Sequence, residues 1–261
     1  MGNLITSSGF EKTFQYAEHF KHGLIVTVLL AFFTVVFGFI LGIILAIARM
    51  SDFCPFRFLS TDKKGHLRGN GPLLTLSKFN PISFLAGCYV EVIRSTPVLV
   101  QIMIIYYGVF RVIKLPNYTL LGFLKFQRFF PGVVALSMNS AAYLCEIIRS
   151  GIQSIDGGQT EAARSLGMTK QQTLMHIILP QAIKNILPAI ANEFVVIIKE
   201  SAIAYTIGVP DLMAAVNDVR GAASIIMEPL LVATAVYFCL CFPTSKIIAY
   251  FERRMSRGDK R

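Results

Sequence analysis

Charged residues are scarce in this chain of 261 residues, and tryptophan is absent. Asp, Glu, Lys and Arg make up 15% of the sequence, whereas a soluble globular domain usually carries about 25%. Hydrophobic residues account for 54%. This composition excludes an ordinary soluble domain and directs attention to the long apolar segments.

Several chemical signatures are also missing. No G-x4-G-K-[ST] loop occurs, so the chain has no phosphate-binding loop of its own. The five cysteines are odd in number and scattered, which excludes a disulfide framework. The four histidines are dispersed, and no His or Cys spacing suits a metal. We therefore expect no metal and no catalytic residue here, with any ATP and Mg²⁺ held by another chain.

The first apolar run covers residues 23–48 and contains no charged residue. Roughly 20 such residues suffice to cross a bilayer as a helix. A signal peptide has a shorter apolar core behind a basic start. Here a mixed-charge segment containing Glu11, Lys12 and Glu18 precedes the run. We interpret residues 23–48 as a retained transmembrane helix.

Four further apolar segments follow, which gives about five transmembrane helices and an all-α integral membrane protein. They are residues 82–110, 131–148, 177–198 and 229–250. Pro97, Pro180 and Pro188 lie inside these segments, and we expect kinks there because proline lacks the N–H that a helix interior requires. Residues 201–210 are apolar but short, and either continue the fourth span or re-enter the membrane.

The distribution of Lys and Arg predicts the orientation. Five spans put the termini on opposite sides, and most basic residues fall on the side of the C-terminus. The positive-inside rule then makes the C-terminus cytoplasmic. Residues 1–21 become an extracytoplasmic segment and residues 256–261 a cytoplasmic basic tail. The net charge of +10 indicates topology and contact with anionic lipid, not nucleic-acid binding.

Residues 160–180, TEAARSLGMTKQQTLMHIILP, are too polar to span a bilayer. We expect Gly157 and Gly158 to break the chain and Thr160 to cap a short helix through Leu166. Gly167 suits a left-handed stop. Thr169 would start a second short helix, with Gln172 at capping-box spacing. Two short helices that meet at an angle indicate a contact surface, although an ordinary helical loop is the alternative.

The same stretch resembles the E-A-A-x3-G-x9-I-x-L-P signature of ABC importer membrane subunits at every position. The matching residues are Glu161, Ala162, Ala163, Gly167, Ile177, Leu179 and Pro180. YVEVIRSTPVLVQ (89–101), LSMNSAAYLCEIIRSGIQSI (136–155), LPQAIKNILPAIANEF (179–194), IGVPDL (207–212) and FERRM (251–255) resemble the polar amino acid permeases, of the histidine, glutamine and arginine type. The likeness covers roughly residues 22–255. Residues 52–80 look like a cytoplasmic insertion, and KESAI at 199–203 departs from the usual K-D-T-S-L.

The resemblance implies a type I ABC importer permease fold with a cytoplasmic coupling helix, in a bacterial inner membrane. It implies a pair of permease subunits, either two copies or one copy and a sister chain. Each would insert its 160–177 patch into a groove on a cytoplasmic ATPase. An extracytoplasmic binding protein would deliver the amino acid. The chain itself would then be a transport subunit and not an enzyme.

Polar residues inside the spans mark a candidate substrate path, because charge within a bilayer is costly and usually functional. Asn139, Tyr143, Glu146 and Ser150 form one stripe of a helix. Glu146 could meet the ammonium of an amino acid. Asn192, Glu193 and Lys199 lie in or just beyond the fourth span. Hydrogen bonding between helices, or a Lys–Glu pair, is the structural alternative for these residues, and Arg94 and Arg149 suit topology anchors.

Other functional classes remain open from the sequence. An ABC permease for another small solute, such as an opine-like compound, is the nearest. An ion-coupled secondary transporter would use Glu146 and Glu193 as proton carriers and would not need the E-A-A patch. In a membrane scaffold without transport, the polar residues would be purely structural.

Overall fold

The structure, a computed structural model, describes residues 5–51, 53–55 and 78–256. Most of the predicted insertion at 52–80 and nearly all of the basic tail at 256–261 lie outside the described residues, as do the predictions made for them. The helices are α1 (Ser7–Gln15), α2 (Ala17–Arg49), α3 (Pro81–Arg94), α4 (Val98–Met103, extended by a π-helix over Ile104–Val109), α5 (Phe126–Gln153), α6 (Gly157–Ser165), α7 (Lys170–Thr173, extended by a π-helix over Leu174–Ile178), α8 (Leu179–Glu200, extended by a 3₁₀ helix over Ser201–Ile207), α9 (Leu212–Ala223) and α10 (Met227–Ser256).

Each of the five predicted spans corresponds to a helix or a helix pair. Within the described ranges, α2, α5 and α10 are each long and apolar enough to cross a membrane, and the bent pair α3–α4 makes a fourth span if counted as one. The fifth predicted span is α8. Its charged residues, among them Lys184 and Glu193, lower its hydropathy. With 22 residues it is still about 33 Å long, enough to match the bilayer core.

The bundle is organised around the contact of α2 with α5, where small residues let the two helices approach closely. A Cβ atom added at Gly38 would lie 3.0 Å from Ser140 Oγ, and one added at Gly42 would lie 2.8 Å from Leu144 Cβ. Small residues serve this purpose at helix contacts in membranes, where close packing replaces the hydrophobic effect. The α2–α5 pair therefore forms a close-packed centre against which the other helices are placed.

The second span is broken at Pro97, and its two halves, α3 and α4, bend by 107°. This confirms the kink predicted there. At the other two prolines the kink stays a prediction, although α8 runs without a break through Pro188. Pro180 is the second residue of α8, directly after the π-helix at Leu174–Ile178.

Residues 201–207 continue α8 directly as a 3₁₀ helix, and Gly208 ends it in the left-handed region with φ 79°. Of the two alternatives for this segment, continuation is therefore the one observed. Ile207 and Val209 pack into the main apolar core with Leu30, Phe129 and Val133. The segment thus closes one end of the bundle between α2 and α5.

A small hairpin precedes α5 and was not predicted. Strands β1 (Thr119–Leu120) and β2 (Leu124–Lys125) pair antiparallel, with Thr119 opposite Lys125. Leu121 and Gly122 turn the chain with φ values of 52° and 78°. Each strand has two residues, which is too short to show the period-two alternation that predicts a strand.

Candidate functional site

The E-A-A residues lie on α6, and Asp156 rather than Thr160 caps that helix. The Asp156 side chain accepts a hydrogen bond from the backbone N–H of Gly158 at 2.6 Å. Gly157 and Gly158 are therefore the first two residues of the helix and not a break before it. The prediction of a Thr160 cap was wrong because an aspartate, which ranks above threonine as an N-cap residue, stands four residues earlier.

Helix α6 presents almost all of its residues to solvent. Ala163 is its single buried member, whereas Glu161 and Ala162 are exposed. Leu166, just after the helix, has 85% of its surface exposed. An exposed leucine at the tip of a polar helix suggests a protein contact more than a lipid contact.

The turn after α6 is a Schellman motif centred on Gly167. The N–H of Met168 bonds to the carbonyl of Ala163 at 3.1 Å, and the N–H of Gly167 bonds to Arg164 at 3.0 Å. Gly167 has φ 84°, in the left-handed region that glycine adopts without steric cost. The Arg164 side chain adds a bond from Nη1 to the Met168 carbonyl at 2.6 Å. The predicted left-handed stop is confirmed.

Helix α7 begins with the predicted capping box. Thr169 Oγ1 accepts from the N–H of Gln172 at 3.2 Å, and Gln172 Oε1 accepts from the N–H of Thr169 at 2.8 Å. The helix was expected to be separate and short, but it runs through the π-helix at Leu174–Ile178 directly into α8. Ile177, Leu179 and Pro180 lie in this junction. A force applied at the turn is therefore carried straight into a helix of the bundle.

We call α6, the turn Leu166–Thr169 and α7 the signature patch. A surface hollow of about 320 Å³ opens on it, lined by Leu166, Gly167, Met168, Gln172 and His176. Apolar, backbone and polar groups thus surround one concavity. This lining suits a side chain from a partner protein.

Asn139, the first residue of the predicted substrate stripe, is buried in a contact with α4. Its Nδ2 donates to Gln101 Oε1 at 2.9 Å, and 5% of its surface is exposed. Gln101 is itself buried and was not singled out from the sequence. The signal was present, since a glutamine four residues after a proline can reach back to carbonyls that the proline leaves without a donor.

Glu146 lies between two arginines. Arg149 Nη2 is 2.8 Å from Glu146 Oε2, and Arg49 Nη1 pairs with Glu146 Oε1. Arg49 also lies 3.7 Å from Glu91. A substrate ammonium that used this carboxylate would have to replace a guanidinium. Arg149, regarded from the sequence as a topology anchor, and Arg49 are thus part of a network that joins α2, α3 and α5.

Tyr143 and Ser150 complete the stripe, but they do not converge on one point with Asn139 and Glu146. The guanidinium of Arg94 lies 5.7 Å from the centre of the Tyr143 ring. Ser150 Oγ bonds to the carbonyl of Ile147 in its own helix at 3.1 Å. The four residues do lie on one face of α5, but each has a different local partner.

The α8 residues of the predicted path differ in environment. Asn192 and Lys199 are exposed and Glu193 is half-buried. Within residues 5–51, 53–55 and 78–256, Glu193 takes part in no salt bridge. In the same described ranges, the hydroxyl of Thr34 is buried without a hydrogen-bond partner. The bundle thus holds polar groups that its own side chains do not saturate.

Asp211 is a buried carboxyl that the sequence did not flag. It caps α9 through a bond from the N–H of Ala214 to Oδ1 at 2.9 Å, and none of its surface is exposed. Its Oδ2 has no partner among the described residues. Burial raises the pKa of Asp211 to about 7, against the lowering effect of backbone N–H bonds from Ala214 and Met213. The carboxyl is therefore poised to titrate near neutral pH.

These features define a class: a multi-pass helical membrane protein with unsaturated polar groups in its bundle and an exposed capped patch continuous with one of its helices. Comparison with known proteins gives the family. The family model described as "binding-protein-dependent transport system inner membrane component" matches residues 71–257. The chain belongs to this family.

Relatives of similar length agree with this assignment. The arginine transport system permease protein ArtQ of Bacillus subtilis (strain 168) is 36% identical over 250 residues, which cover 96% of this chain and 98% of that protein. The nopaline transport system permease protein NocM of Agrobacterium fabrum is 38% identical over 180 residues, or 69% of this chain and 75% of that one.

Solved structures confirm the fold. The chain superposes on a crystal structure of an amino acid ABC transporter with histidines at a TM-score of 0.75 and 39% identity, covering 94% of this chain and 98% of that chain. An inward-facing MetNI methionine ABC transporter gives a TM-score of 0.65 at 16% identity, covering 91% and 96%. The predicted type I ABC importer permease fold is confirmed, and the chain is a transport component.

Proposed function

We propose that this chain translocates a polar amino acid across a bacterial inner membrane, driven by a separate ATP-binding-cassette ATPase. ATP and Mg²⁺ would be held on that partner. A binding protein on the outer side would deliver the solute, and a second copy or a sister permease would complete the pore. The C-terminus would be cytoplasmic, as the distribution of Lys and Arg favours.

The observation that carries this proposal is the construction of the signature patch. Its exposed face holds Glu161, Ala162 and Leu166, while its second arm is continuous with α8. A capped helix transmits displacement as a rigid body. Closure of the ATPases would therefore move α8 and the polar residues it carries, which couples hydrolysis to a change of access.

The amino acid assignment is supported by the relatives, which include an arginine permease and a probable glutamine permease. Tyr143, Asn192 and Lys199 are exposed and would line the path. We assign the contact with the solute ammonium to Glu193, because it takes part in no salt bridge with any described Lys or Arg. Glu146 would border the path from within its arginine network, and Asn139 would border it from α5.

The test is uptake by vesicles that contain the permease, its ATPase and internal ATP, with the binding protein outside. We expect labelled arginine, histidine or glutamine to accumulate with ATP, and to accumulate equally with an uncoupler present. Uptake that survives removal of ATP and collapses with the uncoupler would instead establish a secondary transporter. Absence of uptake under both conditions for every solute would contradict a transport role.

A second candidate solute class has specific support in the nopaline permease relative. Nopaline should therefore be included as a competitor in the same vesicles. Inhibition by nopaline at a concentration well below that of any amino acid would assign the chain to opine-like solutes and leave its role as a permease intact.

A further inference from the structure

The break in the second span is held together by one side chain, that of Gln101. Its Nε2 lies within hydrogen-bond distance of three oxygens, which its two N–H groups share: the carbonyl of Ile93 at 2.8 Å, the carbonyl of Thr96 at 3.0 Å and Thr96 Oγ1 at 2.8 Å. Its Oε1 accepts from Asn139 Nδ2 at 2.9 Å. The side chain thus connects the end of α3, the start of α4 and the middle of α5.

Proline chemistry explains why these carbonyls need a donor. In a continuous helix the carbonyl of Ile93 would accept from the N–H of residue 97, but that residue is Pro97 and has no N–H. The Thr96 carbonyl is bypassed as well, because the N–H groups of Val100 and Gln101 both bond to Pro97. In a bilayer, water is not available to satisfy such groups. The Gln101 amide supplies the missing donor.

Gln101 and Asn139 form a buried contact, not a surface contact. Gln101 and Asn139 have 8% and 5% of their surfaces exposed, so neither side chain is open to a solute in this conformation. Asn139 lies one helical turn before Tyr143 on α5. Its amide is directed to the break, which gives it a different task from that of a ligand for the solute.

We propose that Gln101 is a positioning residue that fixes the broken span against α5, so that motion of α5 and of the α3–α4 break is shared during transport. The inference rests on the proposed function, because it describes how the transport subunit moves. Asn139, which borders the path, contributes to this link by donating its amide to Gln101. Loss of the link leaves both halves of the span in place but lets the 107° bend vary.

The experiment compares Gln101→Met with Gln127→Met in reconstituted vesicles that contain the ATPase and binding protein. Methionine keeps the length of the side chain and removes the amide. Gln127 is a matched control, because it also donates its amide to a carbonyl, that of Leu115 at 3.1 Å, but is exposed. The readouts are assembly, ATP hydrolysis, solute transported per ATP, and the KM for the solute.

For Gln101→Met we expect normal assembly and continued ATP hydrolysis, with about a tenfold lower yield of solute per ATP and an unchanged KM. Gln127→Met should match the wild type. In a cysteine-free background, spin labels at Leu85 and Ile104, which are both exposed and lie on either side of the break, should give a broader distance distribution in Gln101→Met alone.

Three results would overturn the inference: a Gln101→Met yield equal to that of Gln127→Met, a raised KM with an unchanged yield, or an unaltered distance distribution. If Gln101→Met does not assemble, the yields of solute per ATP of Thr96→Val and Thr96→Ser are compared instead. The valine loses the hydroxyl that Gln101 bonds, and should lower the yield in the same direction, whereas the serine should not. Wild-type vesicles that do not transport an amino acid would refute the proposed function instead.

Discussion

Replacing Gly167 by valine changes the turn of the signature patch and nothing around it. Gly167 has φ 84°, and no atom lies within 4 Å of the position that a Cβ would take. The substitution therefore creates no clash with a neighbour. Its cost is the left-handed backbone itself, which is about 1–2 kcal/mol for a residue with a Cβ and towards the upper end for a β-branched side chain.

A penalty of this size shifts the equilibrium between the Schellman turn and other turn geometries by roughly 5- to 30-fold. The bonds from Met168 to Ala163 and from Gly167 to Arg164 depend on this conformation. We expect Gly167→Val to insert into the membrane normally but to lose most ATP-coupled uptake. Gly167→Asn should be milder than Gly167→Ala, because asparagine tolerates the left-handed region.

The assay is uptake and ATP hydrolysis by reconstituted vesicles, with membrane insertion measured separately. Gly157→Ala is the matched control, since Gly157 lies in the same patch with open space around it and no positive φ. It should behave as the wild type. Normal uptake by Gly167→Val, or an equal loss in Gly157→Ala, would refute the argument from backbone conformation.

Three further predictions concern the bundle and the patch. Glu193→Gln should raise the KM for the solute roughly ten- to a hundredfold, because it loses a charge-assisted bond. Glu146→Gln should instead lower the melting temperature and leave KM unchanged, because Arg49 and Arg149 lose their counter-charge. Equal effects of the two variants on KM would contradict these separate roles. Thr169→Ala removes the capping box and should reduce coupling modestly, by about 1 kcal/mol of patch stability, with Thr169→Ser as the control. Asp211 binds its proton more tightly in the folded state, with a pKa of about 7, so its stabilisation is full below about pH 4 and is lost as the pH rises through 7. Asp211→Asn keeps the cap acceptor and should flatten the dependence of melting temperature on pH. An unchanged profile would show that another group titrates.

The sequence predicted the elements whose signals are local. The span at 23–48, the left-handed Gly167 and the Thr169–Gln172 capping box each depend on neighbouring residues, and the structure shows all three. The position of the Asp156 cap was missed because Gly157 and Gly158 were expected to break the chain, although aspartate ranks above threonine as an N-cap residue.

Contacts between distant segments could not be predicted in the same way. The approach of Arg49 to Glu146 joins residues far apart in the chain, and the bond from Asn139 to Gln101 depends on how α4 folds back after Pro97. The stripe of polar residues on α5 was correctly placed on one helix face, but their partners follow from packing. A local signal can also be outweighed: proline disfavours a helix interior, but α8 continues through Pro188.

The central claim is that the signature patch is the surface that meets the ATPase. The most direct measurement is photo-crosslinking from position 166 in the assembled complex, since 85% of the Leu166 surface is exposed. Position 112 is the control, because Val112 is 80% exposed on the hairpin side of the bundle. We expect a covalent adduct between position 166 and the ATPase chain, and none from position 112. An adduct from 166 to lipid or to the binding protein, with none to the ATPase, would contradict it.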